Sequence, residues 1–508
     1  MTAPDSSYAK PFLTVPEQIR QLRKRGMDCG TDAYASAVLG RHGYYRLSGY
    51  WHLYRMRPVP PAAEFDSEGR EVRLDSFVEG TSLRHVVDLY NFDQELRARL
   101  GNALSTIEVS LRFFIGHRVG KIDRFAHRDP HALGAVRAVE PDGSTEPITS
   151  YIEWLEEFDR HESRAKDRFV VHFREKYGPH LPIWVATEVM SFGLLSNLYL
   201  LMPQVDQEIL AARFQVNTAD GRGDRGAFAN WLNNLRNVRN ICAHYGRTWN
   251  RVFDVLIDAP GQSRKQPDDR LSILVDKGVC NRLHGVLVIM RHLLLSIDPQ
   301  RSTIVDIADF IEKQSTEIGF SLSQLGFPDG WRTNRMWDCR MKLDHRAMLA
   351  ADLLDRTEAR TAVDTRAMLF GAEVDKSSSP RTAEQEERAK KAAQRQLLRT
   401  YIRYRVVIEI ELGGIKFYPS FQFRDGKIIN ALAEINRDLS GRYKGDQPTD
   451  LAAAMLDWWQ LPNVALPPTG EGRSQSPCDL LQALTEEAFA TLVAEADATR
   501  TFVCPGRQ

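Results

Sequence analysis

One short segment of this 508-residue chain combines three side chains that could cleave a phosphodiester. The segment is RNICAH, residues 239–244, and it supplies Arg239, Asn240 and His244. Near neutral pH a histidine can take a proton from a ribose 2′-hydroxyl or give one to a leaving oxygen. An arginine can stabilise the charge that grows on the phosphate, and an asparagine can orient either partner. Together these groups suffice for RNA cleavage by internal attack of the 2′-hydroxyl, which demands no metal and no cofactor.

The same residues also suit a structural role. A histidine near a helix C-terminus is favoured by the helix dipole, and Gly246 follows as a stop signal. Taken alone, the segment favours this structural interpretation over a catalytic one.

The interval around the segment is unusually basic. No acidic residue lies between Asp224 and Asp254, whereas five arginines, six asparagines and His244 do. The whole chain has 67 basic and 67 acidic residues, so a nucleic-acid site must be a local patch. The interval is where a phosphate backbone would be attracted.

A predicted amphipathic helix over 227–245 carries the segment. On a helical wheel one face is apolar, and it consists of Trp231, Leu232, Leu235, Val238 and Cys242. Asn240 and His244 lie on the opposite face, but Arg239 points with the apolar face, about 140° from His244. A half-buried arginine is costly unless it is paired or meets an anion. We therefore expect either a distorted helix before His244 or an apolar face that packs on another subunit near an anion site.

Helical periodicity extends over most of residues 10–340. A long segment from Thr81 to Val119 includes Glu108 and Arg112, four apart, as a favourable helix pair. The apolar run from Leu181 contains Glu188, which favours a buried helix over a membrane span. Further helices are predicted at 151–177, 183–203, 227–245 and 272–297.

The pattern changes after a low-hydrophobicity linker at 371–395. VVIEIEL and IKFYPSF flank Gly413-Gly414 and predict a β-hairpin, and helices are predicted at 428–439, 450–460 and 477–497. The predicted fold is mainly α, a helical bundle followed by a small α+β domain. The predicted domains are 1–340, a helical connector at 341–395, and 396–508.

The six cysteines are scattered without a C-x-x-C pair, and the chain begins without an apolar leader. Both features predict a reducing, cytoplasmic setting. The scattered cysteines also argue against a zinc ribbon or a disulfide framework.

Six separated blocks resemble the Abi-like (abortive-infection, AbiD/AbiF type) family of bacterial phage-defence proteins over about residues 8–338. They are PFLTVPEQIRQLRKRGM, LGRHGYYRLSGYWHLY, DLYNFDQELRARLGNALSTIEVSLR, LPIWVATEVMSFGLLSNLY, LRNVRNICAHYGRTWN and LGFPDGWRTNRMW. The family belongs to the HEPN superfamily, whose signature is an Arg, a polar residue and a His four to six positions beyond the Arg. Arg239, Asn240 and His244 match that signature as catalytic residues.

The resemblance implies a helical bundle that forms a homodimer, or a larger homo-oligomer, with an RNA-cleaving site built from both protomers. Arg239 and His244 then need not converge within one chain. Arg247 and Asn250 match the family's continuation and are predicted RNA contacts, together with Arg236 and Arg251 of the basic interval. RNA is the predicted substrate, and a phage-derived trigger or a regulatory RNA is a further predicted partner.

The C-terminal region, about 400–500, is similar to the toxin-binding domain of Xre/MbcA/ParS-type antitoxins. The resemblance rests on IKFYPSFQFRDGKIINALAEIN, DWWQLPNVAL and SPCDLL. It implies a fused regulatory domain. A DNA-reading helix-turn-helix within 345–372 would suit such a domain.

Three functions therefore compete. The first is a metal-independent endoribonuclease of phage defence. The second is a non-catalytic RNA-binding module that carries a regulatory RNA. The third is a DNA-binding, antitoxin-like autoregulator.

Overall fold

A computed structural model gives the fold of the chain. It describes residues 11–59, 65, 71–138, 145–261, 270–300, 302–370, 380–442, 448–461, 475–483, 485 and 488–489. The described residues are mainly helical and their sheets are small, so the predicted fold class, mainly α with a small α+β part, is confirmed.

Among the described residues before 344 the chain is a helical assembly with one short antiparallel pair of strands, β1 (Val136–Ala138) and β2 (Thr145–Pro147). Its helices are α1 (Val15–Lys24), α2 (Asp32–His42), α3 (Tyr44–Trp51), α4 (Leu83–Gly120), α5 (Pro130–Leu133), α6 (Thr149–Arg164), α7 (Arg168–Tyr177), α8 (Ile183–Val189), α9 (Phe192–Leu201), α10 (Gln204–Arg213), α11 (Arg225–Ala243), α12 (Leu283–Ile297) and α13 (Thr303–Ile318).

Helix α4 is the central element of this assembly. It has 38 residues, so it is about 57 Å long, and the Ser82 side chain caps its start by accepting from the His85 amide. Apolar residues recur along it at three- and four-residue steps and are buried against α3, α8, α11, α12 and α13. Helices α4 and α11, with the segments they contact, carry the side chains of the candidate site.

Two of the predicted helices are each divided in two. The predicted helix 151–177 is α6 and α7, and the predicted helix 183–203 is α8 and α9. Extended backbone at Met190 ends α8, and the Ser191 hydroxyl then caps α9 by accepting from the Leu194 amide. The apolar run from Leu181 is therefore two short helices. In the described ranges no helix has both the length and the apolar character needed to cross a membrane.

The C-terminal part has a second apolar core. Its elements are α14 (His345–Arg356), β3 (Ala359–Thr361), α15 (Ala362–Phe370), α16 (Pro380–Arg403), β4 (Ile410–Leu412), β5 (Ile415–Pro419), β6 (Phe423–Arg424), β7 (Lys427–Ile428), α17 (Asn430–Arg442), α18 (Pro448–Gln460) and α19 (Pro477–Ala483). The predicted hairpin is confirmed: Leu412 pairs with Ile415, and Gly413 and Gly414 form the two-residue turn, both with positive φ.

A third strand, β3, which the sequence did not predict, pairs antiparallel with β5. A helix-turn-helix at 345–372 is therefore wrong, because a sheet strand separates α14 from α15. The domain boundaries stay a prediction, although α14 and β3, from the predicted connector 341–395, pack in the second core. Most of the predicted helix 477–497 and the PNVAL element lie outside the described residues.

The second core is joined to the helical assembly through α10 and α14. Ile209 and Ala212 of α10 lie in the same apolar cluster as Leu353 and Leu354. The hairpin turn also meets the loop before α11, since a β-carbon on Gly413 would lie 3.0 Å from Ala212 Cβ and 3.1 Å from the Gly223 nitrogen.

Candidate functional site

Helix α11 presents the RNICAH segment at its C-terminal end. The Asp224 carboxylate caps its start by accepting from the Ala227 amide, 3.0 Å away. Its predicted apolar face is confirmed, because Trp231, Leu232, Leu235 and Val238 are buried. The helix continues without a break to Ala243, so it does not distort before His244.

Two asparagines of α11 have a structural role that the sequence did not reveal. The Asn234 amide donates to the Val255 carbonyl, and the Asn230 amide donates to the Leu256 carbonyl, each at 2.9 Å. Asn230 also accepts from the Asp258 amide. These bonds hold the segment 255–258 along α11 and give its backbone carbonyl and amide groups hydrogen-bond partners.

Arg239 faces α4, as the helical wheel predicted. Its Nε lies 3.5 Å from a Glu108 carboxylate oxygen. The other Glu108 oxygen accepts from Arg112 at 2.7 Å, and Arg112 in turn donates to the Thr187 carbonyl. The arginine therefore pairs with a carboxylate of its own chain. This pairing explains why Arg239 points with the apolar face, and it requires neither a distorted helix nor an anion at a subunit interface.

The Arg239 side chain is still 41% exposed, whereas Glu108 is almost buried. No further hydrogen bond or ion pair engages its terminal Nη1 and Nη2 groups among the described residues. Glu108 thus holds one edge of the guanidinium and leaves the other edge able to donate to a phosphate.

Asn240 and His244 are exposed and one helical turn apart. His244 is the C-cap residue of α11, and its amide donates to the Asn240 carbonyl. Within the described ranges the imidazole makes no hydrogen bond or ion pair. The structure therefore puts Asn240 and His244 on one accessible surface, while Arg239 lies toward α4 beside them.

A buried carboxylate fixes the loop that follows His244. Asp93 on α4 is fully buried and pairs with Arg97 one turn along the helix. It also accepts from the amide and hydroxyl of Thr248, from the Trp249 amide at 2.7 Å and from the Tyr50 hydroxyl at 2.6 Å. Because each oxygen is so well satisfied, the burial of this charge is compensated and the loop has one defined position.

The four residues predicted to contact RNA all make hydrogen bonds within the protein. Arg236 donates to Asn233, and the Asn250 amide oxygen accepts from Arg282. Burial lowers the pKa of Arg247, whose guanidinium donates to the Gly49 carbonyl. Arg251 donates to the Arg247 carbonyl. Their contact with RNA stays a prediction, and Arg247 has an evident structural role.

The fold brings a second acid-free interval to the first one. Residues 33–63 contain no Asp or Glu, as is true of 225–253. Arg46 of α3 donates to the Tyr245 carbonyl at 2.8 Å, and Arg247 reaches Gly49 on the same helix. The composition of 33–63 is a signal that was present in the sequence, but only the fold shows that α3, within this interval, contacts the segment after His244.

Other reactive groups do not contribute at this site. Burial raises the pKa of the Cys242 thiol to about 12, so it stays protonated and is a poor nucleophile. In the part of the chain that the structure describes, no three His, Cys, Asp or Glu side chains are grouped so that they could hold a metal ion.

Comparison with known proteins concerns this part of the chain. Residues 37–250 match the family of Abi-like proteins. This region is Abi-like. The Abi-like region contains Asp93, Glu108 and the whole RNICAH segment, and it ends at Asn250. No curated protein and no solved structure matches the chain significantly. The similarity of residues 400–500 to antitoxin domains stays a prediction, as do the roles assigned to the site residues.

Proposed function

We propose that the chain is a metal-independent endoribonuclease of abortive-infection defence, with Arg239, Asn240 and His244 as its catalytic residues. The observation that carries the proposal is the environment of the segment. An exposed histidine without an internal partner in the described ranges lies beside an arginine with one free edge, where two acid-free intervals meet. The Abi-like match over 37–250 supports the defence role.

In the proposed reaction the ribose 2′-oxygen attacks the adjacent phosphorus. The bond from phosphorus to the 5′-oxygen breaks, which leaves a 2′,3′-cyclic phosphate and a 5′-hydroxyl. His244 takes the proton of the 2′-hydroxyl or protonates the leaving oxygen. Arg239 donates its terminal N–H groups to the non-bridging oxygens, where negative charge grows. Asn240 orients the phosphate or the imidazole.

A homodimer suits this chemistry. Arg239 and His244 diverge around α11, and the exposed surface beside them is open to a second copy of the chain. In a twofold arrangement the histidine of one protomer would work with the arginine of its partner. The C-terminal part is proposed as a regulatory domain, because it contacts α10 and the loop that leads into α11.

The test is the mapping of RNA ends after incubation with purified full-length protein. Wild type should produce 2′,3′-cyclic phosphate ends, and His244→Ala and Arg239→Ala should each abolish them without loss of fold. His172→Ala, which changes an exposed histidine on α7, is the control and should cleave like wild type. Equal cleavage by purified His244→Ala would contradict the mechanism.

A second function is favoured by one observation. The Glu108 carboxylate partly neutralises Arg239 in a single chain. If no partner protomer supplies another arginine, the surface is a binding site without catalysis. The chain would then carry an RNA on the basic surface, and intact RNA would co-purify with both wild type and His244→Ala.

A further inference from the structure

The residue after His244 has a backbone conformation that side chains rarely adopt. Tyr245 has φ of 58°, in the left-handed region. The turn it makes is a Schellman motif: the Gly246 amide donates to the Ile241 carbonyl at 2.8 Å, and the Tyr245 amide donates to Cys242. Glycine is the usual residue at this position, because in the left-handed conformation a β-carbon lies too close to the following carbonyl oxygen.

Packing does not account for a tyrosine at this position. The Tyr245 side chain is 69% exposed. Glycine would make the same two backbone bonds without strain, and Gly246 is already the next residue. A strained, non-glycine residue at the edge of a candidate site is the kind of feature from which a function can be inferred. The exposed aromatic ring is therefore the feature that Tyr245 has and that glycine at the same position would lack.

The surroundings indicate what the ring would contact. Arg46 of α3 donates a hydrogen bond to the Tyr245 carbonyl. Tyr45, which precedes Arg46 on α3, is 77% exposed. Each acid-free interval thus contains one of these exposed tyrosines, and Tyr245 directly follows His244 in the chain. Aromatic faces with basic side chains around them are the combination that binds unpaired nucleotides, since bases stack on the rings and phosphates meet the cations.

We infer that Tyr245 and Tyr45 form a stacking platform for single-stranded RNA beside His244. This rests on the proposed function only in taking RNA as the ligand. Bases in a duplex are already stacked on each other and present no free face, so the platform selects unpaired segments such as loops and single strands. A base stacked on Tyr245 would bring the neighbouring phosphate and ribose to the exposed imidazole.

The platform is tested by binding, in the His244→Ala background so that RNA stays intact. The probes are a fluorescent RNA of roughly ten nucleotides and the same RNA annealed to its complement. Tyr245→Gly should weaken binding of the single strand about tenfold. Because the substitution also relieves the backbone strain, the melting temperature of the Tyr245→Gly variant should equal or exceed that of the parent. Tyr245→Phe, which keeps the ring, should bind within about twofold of the parent.

Two further variants keep the result decisive. Tyr45→Ala on α3 should also weaken binding, and it does not touch the strained turn. Tyr177→Ala removes a tyrosine of similar exposure, 62%, at the end of α7 and should bind like the parent. Loss of affinity with Tyr45→Ala but not Tyr177→Ala would support the platform even if the glycine variant folded poorly.

The inference is overturned if Tyr245→Gly and Tyr45→Ala bind the single strand as well as the parent, or if the duplex binds equally well. Failure of the proposed function has a different signature. If wild type does not cleave but the tyrosine variants lose affinity, the platform stands and the nuclease is wrong. If the parent binds no RNA at all, both fail.

Discussion

The Glu108 carboxylate lies 3.5 Å from Nε of Arg239 and joins the longest helix of the bundle to the helix that carries the RNICAH segment. Glu108 is itself held by Arg112, so its position does not depend on Arg239. It contacts the Nε of the guanidinium, and the terminal N–H groups have no other partner among the described residues. In the proposed reaction Glu108 is therefore a positioning residue that acts through Arg239.

Replacement of Glu108 by glutamine should lower the cleavage rate about tenfold at saturating RNA, because the arginine loses its charged anchor. The control is Glu95→Gln, which removes the carboxylate of an exposed Glu95–Arg99 pair on the same helix and should leave the rate unchanged. A double-mutant cycle separates positioning from stability. Measured on RNA affinity, any effect of Glu108→Gln in the wild-type background should vanish in the Arg239→Ala background, and an additive effect would contradict the assignment.

Local patterns predicted the elements of this site but not its contacts. The 3.6-residue period identified the buried face of α11 and the direction of Arg239, and the Gly413-Gly414 pair identified the hairpin. The anchors of the site are far apart in the chain: Asp93 and Trp249 are separated by 156 positions, and Arg46 and Tyr245 by 199. Periodicity shows which face a helix buries, whereas the partner depends on how the helices pack. Such pairs could not be predicted from the sequence.

Substitution of Asp93 by asparagine should destabilise the protein by about 3 kcal/mol, because it leaves Arg97 buried without its counter-charge. Tyr50→Phe removes only one hydrogen bond to the same carboxylate and should cost about 1 kcal/mol. Chemical denaturation of both variants measures the difference. Equal effects from the two substitutions would mean that the loop after His244 does not depend on the buried charge.

Acidification should destabilise the helical bundle through two buried histidines. Burial lowers the pKa of His284 to about 4 and that of His127 to about 3, below the ordinary value near 6.5. The native state thus binds fewer protons than the unfolded chain at intermediate pH. The stabilisation is complete above about pH 6.5 and is lost as the pH falls toward about 4.

His284→Phe should therefore reduce the loss of stability between about pH 7 and pH 5, by roughly 2 kcal/mol. His284 packs among Phe327, Trp331 and Trp337, where an aromatic ring fits. Urea denaturation at both pH values measures the change. His131→Phe, at an exposed position, is the control and should lose as much stability on acidification as wild type.

Disruption of the contact between the two cores should loosen the loop that leads into α11. Arg118 bridges Asp206 of α10 and Asp355 of α14, and Lys121 donates to the Thr357 carbonyl. Gly413→Val should push the hairpin away from α10 and this loop, because valine is strained at the positive φ of this position and its side chain clashes with Ala212 and the Gly223 backbone. Hydrogen exchange over 209–223 should then accelerate, while exchange in α4 near Asp93 stays slow. Unchanged exchange over 209–223 would show that the hairpin does not hold the loop.

Mixing two inactive variants should restore activity if the catalytic site is composite. In a dimer of Arg239→Ala with His244→Ala, one site would combine the intact arginine of one protomer with the intact histidine of its partner. The other site would lack both groups. Half of randomly exchanged dimers are mixed and each has one intact site, so roughly a quarter of wild-type cleavage should return after subunit exchange. Two preparations of the same variant, exchanged in the same way, are the control and should stay inactive. Absence of recovery in mixtures proven to exchange would mean that Arg239 and His244 act within one protomer.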